Sequence, residues 1–448
     1  MQQLRILLRP YVQVISLGLF LVPSLTPSLA SAACPDLSDY YPDADVEWPA
    51  LSQRLAPFLE DCLQSPEYFA LYGAAQLNSG NIAEASESLE RALLLQPDNG
   101  AALIDYAQAL YLQGQLFSAL EINETLLERE NLPADLQAVI AARQRSWQAL
   151  RSERSGQLDV LTGYDNNLNG APDPSQITLT LSGTPILLDL NEEFRPQSGP
   201  YGSFRLGGRY RRLAPEYQHN WQAEVRGRVS EDTESDLLQF GGRYSFIRPS
   251  REHSWQLDAG VDHLQFGGSS LYTAADLRAR YQPASKHRCK PYYGMALQQQ
   301  MFPGQRQLNA LESKASVGTN CPMISSRGNQ LLSAEFSLLA NTAIESGRPG
   351  GDRDGWQMSL DWQVSLPIGE FRSQLSHTQL WDSDGYTPLL ENGAERWLQR
   401  SYLLLQYRRA LREDLTLMVN FYHQDQHSNL ELFRSVDTTF EIGFSLAL

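Results

Sequence analysis

Several segments of this chain carry residues that could do chemistry, and spacing decides whether they can act together. Asp165-Asn166-Asn167-Leu168-Asn169-Gly170 copies the first half of a calcium loop, with oxygen ligands at alternate positions before a glycine. A bidentate glutamate should close such a loop; Gln176 stands there instead, so the segment reads as a turn. His423 and His427 have i, i+4 spacing, which offers a metal two imidazoles on one side of a helix. Here they are expected on a strand end and the loop after it, where that spacing shares no face. His427 and Ser428 place a base beside a nucleophile, but neighbouring strand residues point to opposite faces, so His427-Ser428-Asn429 reads as a polar loop. The chain has no G-x-x-x-x-G-K-[ST], no dinucleotide-binding glycine pattern, no G-x-S-x-G and no C-x-x-C. The expectation is a non-enzyme with no catalytic residues, no metal and no cofactor.

What remains is architecture, and it begins with an address. Arg5 and Arg9, the apolar stretch from Ile15 to Val22, and Ala30-Ser31-Ala32 form a secretory signal peptide over residues 1–32. Cys34 follows, but Ser31 occupies the position where a lipobox usually has Leu, so ordinary cleavage after Ala32 is expected. An exported chain with 4 cysteines should pair them. Residue 305 lies midway between Cys289 and Cys321, inside Phe302-Pro303-Gly304-Gln305-Arg306, which reads as a hairpin apex. Residues equidistant from an apex face each other at a spacing a disulfide can close. Cys289–Cys321 is therefore expected and, by elimination, Cys34–Cys62.

With 448 residues the chain has room for two folded units. Its 36 basic against 52 acidic residues, a net charge of −16, exclude a duplex nucleic-acid partner. Mean hydropathy is −0.37, and no apolar run after residue 30 is long enough for a spanning helix, which excludes a multi-helix membrane protein. The acidity is uneven: residues 34–155 carry 19 acids and 7 bases, and residues 156–448 carry 33 and 27.

Within a periplasmic domain expected over residues 33–155, residues 47–150 read as helices, and 66–99 aligns with 100–133 at a period of 34. Gly73 matches Ala107, Gly80 matches Gly114 and Ala85 matches Ala119, with Leu89, Ala92 and Pro97 completing the first copy. Small residues at those offsets let paired helices approach closely. The pattern resembles the tetratricopeptide repeat, with Asn123 at one position where an apolar residue is usual. Helices over 48–63 and 134–150 are expected to cap the stack, since so few repeats cannot bury their own faces.

From residue 156 to 448 the period changes to two. Trp356, Met358, Leu360, Trp362, Val364 and Leu366 share one face, and Gln357, Ser359, Asp361, Gln363 and Ser365 the other. Trp221 to Val229 and Leu415 to Phe421 repeat the alternation. Short connections alternate with long ones, and Trp221, Trp255, Trp356, Trp381, Trp397 and Tyr201 stand near strand ends as membrane girdles require. The chain ends with Phe440, Ile442, Phe444, Leu446 and Leu448 on one face. Glu441, Gly443, Leu446 and Leu448 resemble the C-terminal assembly signal of bacterial outer-membrane barrels, with Leu448 replacing the usual aromatic. The fold class is therefore α plus transmembrane β: helical repeats, then an antiparallel outer-membrane barrel. Residues 176–190 taken as one strand give 14 strands; broken near Pro185, with 156–164 added, they give 16. Arg205, Arg226, Arg228 and Arg278 fall on lumen-facing positions, where they could line a pore or rigidify the wall.

The segment Gly163-Tyr164-Asp165-Asn166-Asn167-Leu168-Asn169-Gly170-Ala171-Pro172 resembles the N-x-N-x-A-P motif of the surface lipoprotein assembly modulator family, with Gly170 in place of the commoner Asn. Those proteins join a periplasmic tetratricopeptide domain to a barrel usually drawn with 14 strands, an arrangement that covers nearly all of the mature chain. The resemblance implies a translocation factor of the outer membrane whose periplasmic repeats deliver a protein client, a lipoprotein, to the cell surface. Asn78, Gln108 and Tyr111, on the first helix of each repeat, are the expected client-binding residues. An exopolysaccharide exporter also joins such repeats to a barrel, usually with many more of them. The partners implied are outer-membrane lipids, the barrel-assembly machinery, and a protein client or, alternatively, exopolysaccharide.

Overall fold

The computed structural model describes residues 34–41, 46–250, 253–325 and 328–448; the expected signal peptide lies outside them. Two compact units divide between Ala141 and Ala142.

The first unit is helical: α1 (Trp48–Leu55), α2 (Pro66–Asn78), α3 (Ile82–Leu95), α4 (Gly100–Leu112) and α5 (Leu116–Leu127), with α6 (Ala134–Ala149) running across the division. Polar caps start the first helix of each repeat: Ser65 accepts from the Tyr68 amide at 3.2 Å, and Asn99 from the Ala102 amide at 3.0 Å. Gly80 and Gly114 follow those helices at φ 86° and 80°, a left-handed turn that costs glycine nothing, which explains their matched positions. Packing explains the other matches. A Cβ at Gly73 would fall 2.6 Å from Cγ of Leu89, so α2 meets α3 only because that position is bare. Ala85, Leu89, Ala92, Ala107 and Ala119 are fully buried, and so is Asn123, at the departure from the repeat pattern. The α-helix expected over 48–63 stops at Leu55 and continues as a 3-10 turn over Ala56–Phe58. Pro57 has no amide to donate and its ring crowds the preceding turn. Cys34 and Cys62 are bonded in this unit.

Among the described residues of the second unit, fourteen strands close into an antiparallel barrel. They are β1 (Ser152–Asp165), β4 (Gly199–Leu213), β5 (Gln218–Ser230), β6 (Leu237–Pro249), β7 (His253–Phe266), β8 (Ser269–Pro283), β9 (Lys290–Met301), β10 (Ala310–Ser325), β11 (Gly328–Ala343), β12 (Arg353–Leu366), β13 (Gly369–Gly385), β14 (Glu395–Ala410), β15 (Leu415–Ser428) and β16 (Ser435–Ala447). Strand β1 pairs with β4 on one side and with β16 on the other, which closes the cylinder. The count is 14, although neither way of counting from sequence describes how it arises. Residues 156–164 belong to β1, and residues 176–189 form a separate hairpin, β2 (Gln176–Leu181) and β3 (Thr184–Asp189), outside the barrel sheet. Its turn, Ser182-Gly183 at φ 50° and 83°, is the two-residue type that hairpins favour.

Alternation sorts the wall into two faces. Val160, Phe204, Val229, Leu257, Leu277, Met295, Phe336, Met358, Leu375 and Phe440 are exposed on the outside, an apolar belt suited to lipid. The other face carries most of the charged residues. Turns 214–217, 367–368 and 411–414 lie at the end where β1 starts and β16 finishes; longer segments such as 302–309, 344–352 and 386–394 lie at the opposite end.

Candidate functional site

The barrel interior gathers most of the charge chemistry in the molecule, and each of the four arginines assigned to the lumen meets a carboxylate. Arg205 lies 2.5 Å from Asp159, Arg228 lies 3.0 Å from Asp165, Arg278 lies 2.9 Å from Asp276, and Arg226 pairs with Glu224. Asp159, Asp165 and Asp276 are buried. Lys314–Glu335 and Arg372–Asp361 continue the pattern at 3.0 and 2.6 Å. These cations are committed to the wall, which favours the rigidifying role over a row of free charges for passing ions.

A repeated device braces this wall. In the β4–β1–β16 triplet, Gly163 is flanked in register by Tyr201 and Glu441, and the Tyr201 hydroxyl donates to the Glu441 carboxylate at 2.7 Å across the glycine. A Cβ at Gly163 would fall 2.8 Å from the Tyr201 ring. In the β9–β10–β11 triplet, Gly318 is flanked by Tyr292 and Glu335, joined at 2.9 Å over it. Between β6 and β8, Arg243 reaches Asp276 at 3.2 Å over Gly260, again with all three in register. Each bridge ties strands that are not neighbours, and each needs a bare middle strand. The terminal signal takes part: Glu441 also accepts from Ser203 and Asn420, Gly443 closes on the Val160 carbonyl of β1, and Leu448 exchanges backbone hydrogen bonds with Gly156. Leu446 lies opposite Leu158 on the lipid-facing side. Tyr201 is therefore not a girdle residue. It sits on the same face as Ser203 and Arg205 and is 6% exposed; parity along β4, rather than nearness to a strand end, decides where it points.

The Asn-rich segment Gly163 to Pro172 folds the turn after β1. Asn167 donates to the Ala171 carbonyl at 3.0 Å and accepts from the Ala171 amide at 2.9 Å. Asn169 binds the Arg195 carbonyl and the Gln197 amide, at 2.9 and 3.1 Å. Asp165 accepts from the Asn167 amide and from Arg228, so the calcium-like carboxylate serves the turn. The β2–β3 hairpin is held along one edge: the Thr178 amide donates to Glu431 and the Thr180 amide to the Leu389 carbonyl, each at 2.8 Å. Nearby, Arg396 lies over the rings of Tyr386 and Phe433, 4.6 and 4.3 Å from their centroids, while binding Asp382 at 3.0 Å.

His423 and His427 both lie on β15, so they do share a face, contrary to the reading of the second as a loop residue. Four residues of strand separate them by about 13 Å, too far for one metal ion. His423 bonds Thr438 at 2.9 Å and His427 bonds Asp425 at 3.0 Å. The Ser428 hydroxyl donates to the Trp397 carbonyl at 2.8 Å. Cys289 and Cys321 are bonded at the base of β9 and β10. In the helical unit, Asn78 is exposed at the end of α2 and donates to the Ala74 carbonyl at 2.8 Å; Gln108 and Tyr111 are half-buried on α4. Sequence reading missed the glycine-spanning bridges, whose partners come together only once the register of three strands is known.

The tetratricopeptide repeat family matches residues 76–142. No curated protein matches the chain. Among solved structures, an anion-selective porin from Comamonas acidovorans is similar at 9% identity, covering 66% of this chain and 99% of its own, with a TM-score of 0.37. A bacterial polysaccharide outer membrane secretin is similar at 10% identity, with 65% and 98% covered and a TM-score of 0.36. The outer membrane channel DcaP of Acinetobacter baumannii is similar at 10% identity, with 66% and 97% covered and a TM-score of 0.37. The chain thus unites tetratricopeptide helices with a closed barrel whose apolar exterior and polar interior are those of outer-membrane barrels.

Proposed function

We propose that this protein is a non-enzymatic translocation factor of the outer membrane, whose periplasmic helical unit captures a protein client, a lipoprotein, and hands it to the barrel for display at the cell surface. The observation that carries the reading is the direct continuity of a short tetratricopeptide unit with the barrel: α6 ends at Ala149 and β1 begins at Ser152. Stacked repeats offer a concave surface suited to extended polypeptide, and Asn78, Gln108 and Tyr111 are the residues assigned to it. Self-paired interior charge supports a guiding scaffold over an ion-selective pore.

The test removes residues 34–149, up to the end of α6, while retaining the leader and the whole of β1 with the rest of the barrel. The truncated barrel should still insert and shift in gel mobility on heating. Protease shaving of intact cells, read by mass spectrometry, should show at least one surface lipoprotein lost from the exterior and retained in the periplasm, with secreted polysaccharide unchanged. Normal lipoprotein display with lost polysaccharide would overturn the protein-client reading in favour of export of a glycan. Conservative changes at Asn78, Gln108 and Tyr111 should weaken client capture while helical content is preserved.

A further inference from the structure

The outer wall of the barrel is not uniformly covered by side chains. Gly208, Ala223 and Gly242 stand side by side in register on β4, β5 and β6, and Gly156 continues the row onto β1. They share the outer face with Leu206 and Phe240, two residues along β4 and β6. The row toward the chain ends is aromatic: Tyr210 and Trp221 stack at 5.3 Å, and Trp221 and Tyr244 lie 5.4 Å apart. A bare row between a row of Tyr and Trp rings and a row that holds Leu206 and Phe240 leaves a recess of about 790 Å³, almost wholly apolar. At about 4.8 Å per strand it crosses roughly 14 Å of wall. Strands of such barrels tilt by about 35–45°, so a row perpendicular to them runs obliquely toward the bilayer interior, the course of an acyl chain leaving headgroup level.

The end of the recess is cationic. Arg154 lies over the Tyr210 ring at 5.6 Å, and Arg212 stands two residues beyond Tyr210 on the same face. Among the described residues neither guanidinium has a carboxylate within ion-pair distance, whereas Arg211, between them but on the opposite face, is paired with Glu153. A second outer recess, about 680 Å³ beside Phe336, Met358 and Leu375, has no Arg or Lys in its lining. Apolar shelter and unpaired cations coincide at one place on the wall.

We propose that this recess is a binding site for one anionic glycerophospholipid, its acyl chain lying along Gly208, Ala223 and Gly242 and its phosphate held by Arg154 and Arg212. The aromatic row sits between the two parts of the ligand, at the depth where Trp and Tyr rings collect in membranes. Lipid A, with phosphates but several shorter chains, is the competing occupant, and a small-residue face for another protein is the alternative use of the same bare row.

The full-length protein, purified in mild detergent and exposed to an excess of phosphatidylglycerol, phosphatidylcholine or lipid A, would be analysed by native mass spectrometry. One phosphatidylglycerol should be retained about tenfold over phosphatidylcholine, the preference two interfacial arginines supply. Exchanging both arginines, Arg154→Gln with Arg212→Gln, should bring the ratio to about one. Gly208→Leu should abolish retention by filling the recess; a Cβ there meets no heavy atom within 4 Å, so the barrel accommodates it. Heat-modifiable mobility of each variant confirms folding, and the arginine pair alone decides the matter should the leucine variant misfold. Equal retention of both phospholipids, retention unaffected by the arginine exchange, or preference for lipid A would each overturn the proposal, and a wild-type dimer abolished by Gly208→Leu without lipid loss would assign the face to protein.

Discussion

The helical unit and the barrel both depend on missing side chains, and they use the absence in opposite ways. In the helices Gly73 lets Leu89 of the next helix enter an apolar core that contains Leu55, Tyr68, Ala75 and Ala92. In the barrel Gly163, Gly260 and Gly318 let polar side chains cross a strand, and the apolar residues face outward instead. A close approach in the first case gains burial, which is non-directional and tolerant of small shifts. In the second it gains one hydrogen bond or ion pair of fixed geometry, which tolerates little. Substitutions should therefore hurt the two units in different proportions.

The largest expected effect falls on the barrel. Glu441→Ala removes the acceptor of Tyr201, Ser203 and Asn420 together and should cost about 4 kcal/mol. It would be read as a lower temperature for the gel-mobility shift, with the helical unit unaffected; an unchanged shift would show that the bridge over Gly163 contributes nothing.

Next is a pH effect on the helical unit. Burial, and after it the charge of Tyr72, pushes the Tyr68 hydroxyl up to about 12 from 10.0. Between those values the folded unit holds a proton that the unfolded chain has released. Its contribution is complete below pH 10 and is lost as pH rises through 12, by about 3 kcal/mol. Helical circular dichroism of the full chain should show this decline, and Tyr68→Phe should reduce it. Gly73→Val should cost about 2 kcal/mol by overpacking against Leu89, seen as an earlier loss of the same helical signal with the barrel shift unmoved. At the small end, Arg226→Gln should change barrel stability by less than about 0.5 kcal/mol, because Arg226 and Glu224 are both exposed to solvent in the interior. A larger change would mean that this pair, too, acts as a brace.

The same contrast explains what could be read in advance. Repeat positions were legible because each helical contact depends on residues at fixed offsets within one segment: Gly73, Ala85, Leu89 and Ala92 occupy the places their spacing demands. The final strand was legible because parity alone separates Phe440, Ile442 and Phe444 from Glu441 and Gly443. Cys289 and Cys321 needed only a symmetric hairpin. By contrast, residues 176–189 alternate and bear β-branched and aliphatic side chains like a barrel strand, and nothing local says that they fold back outside the wall. The bridge from Tyr201 to Glu441 joins residues far apart in sequence through a third strand. The bare outer row on β1, β4, β5 and β6 is dispersed in the same way: Gly208, in Gly207-Gly208-Arg209-Tyr210, and Gly242, in Gly241-Gly242-Arg243-Tyr244, join it only when β5 sets Ala223 between them.

Under the proposed function, the junction of β1 with β16 has a consequence for how a client could leave. It is the point where the first and last strands meet with no turn to join them, and so the natural place for a sideways gate. Near one end it is bolted by Tyr201, which grips Glu441 from the far side of β1, and at the other by Leu448, whose backbone is hydrogen-bonded to Gly156. Both bolts must be drawn before the strands part. A client released through this wall would therefore have to trigger the opening itself, whereas one that travels along the central bore leaves the junction shut.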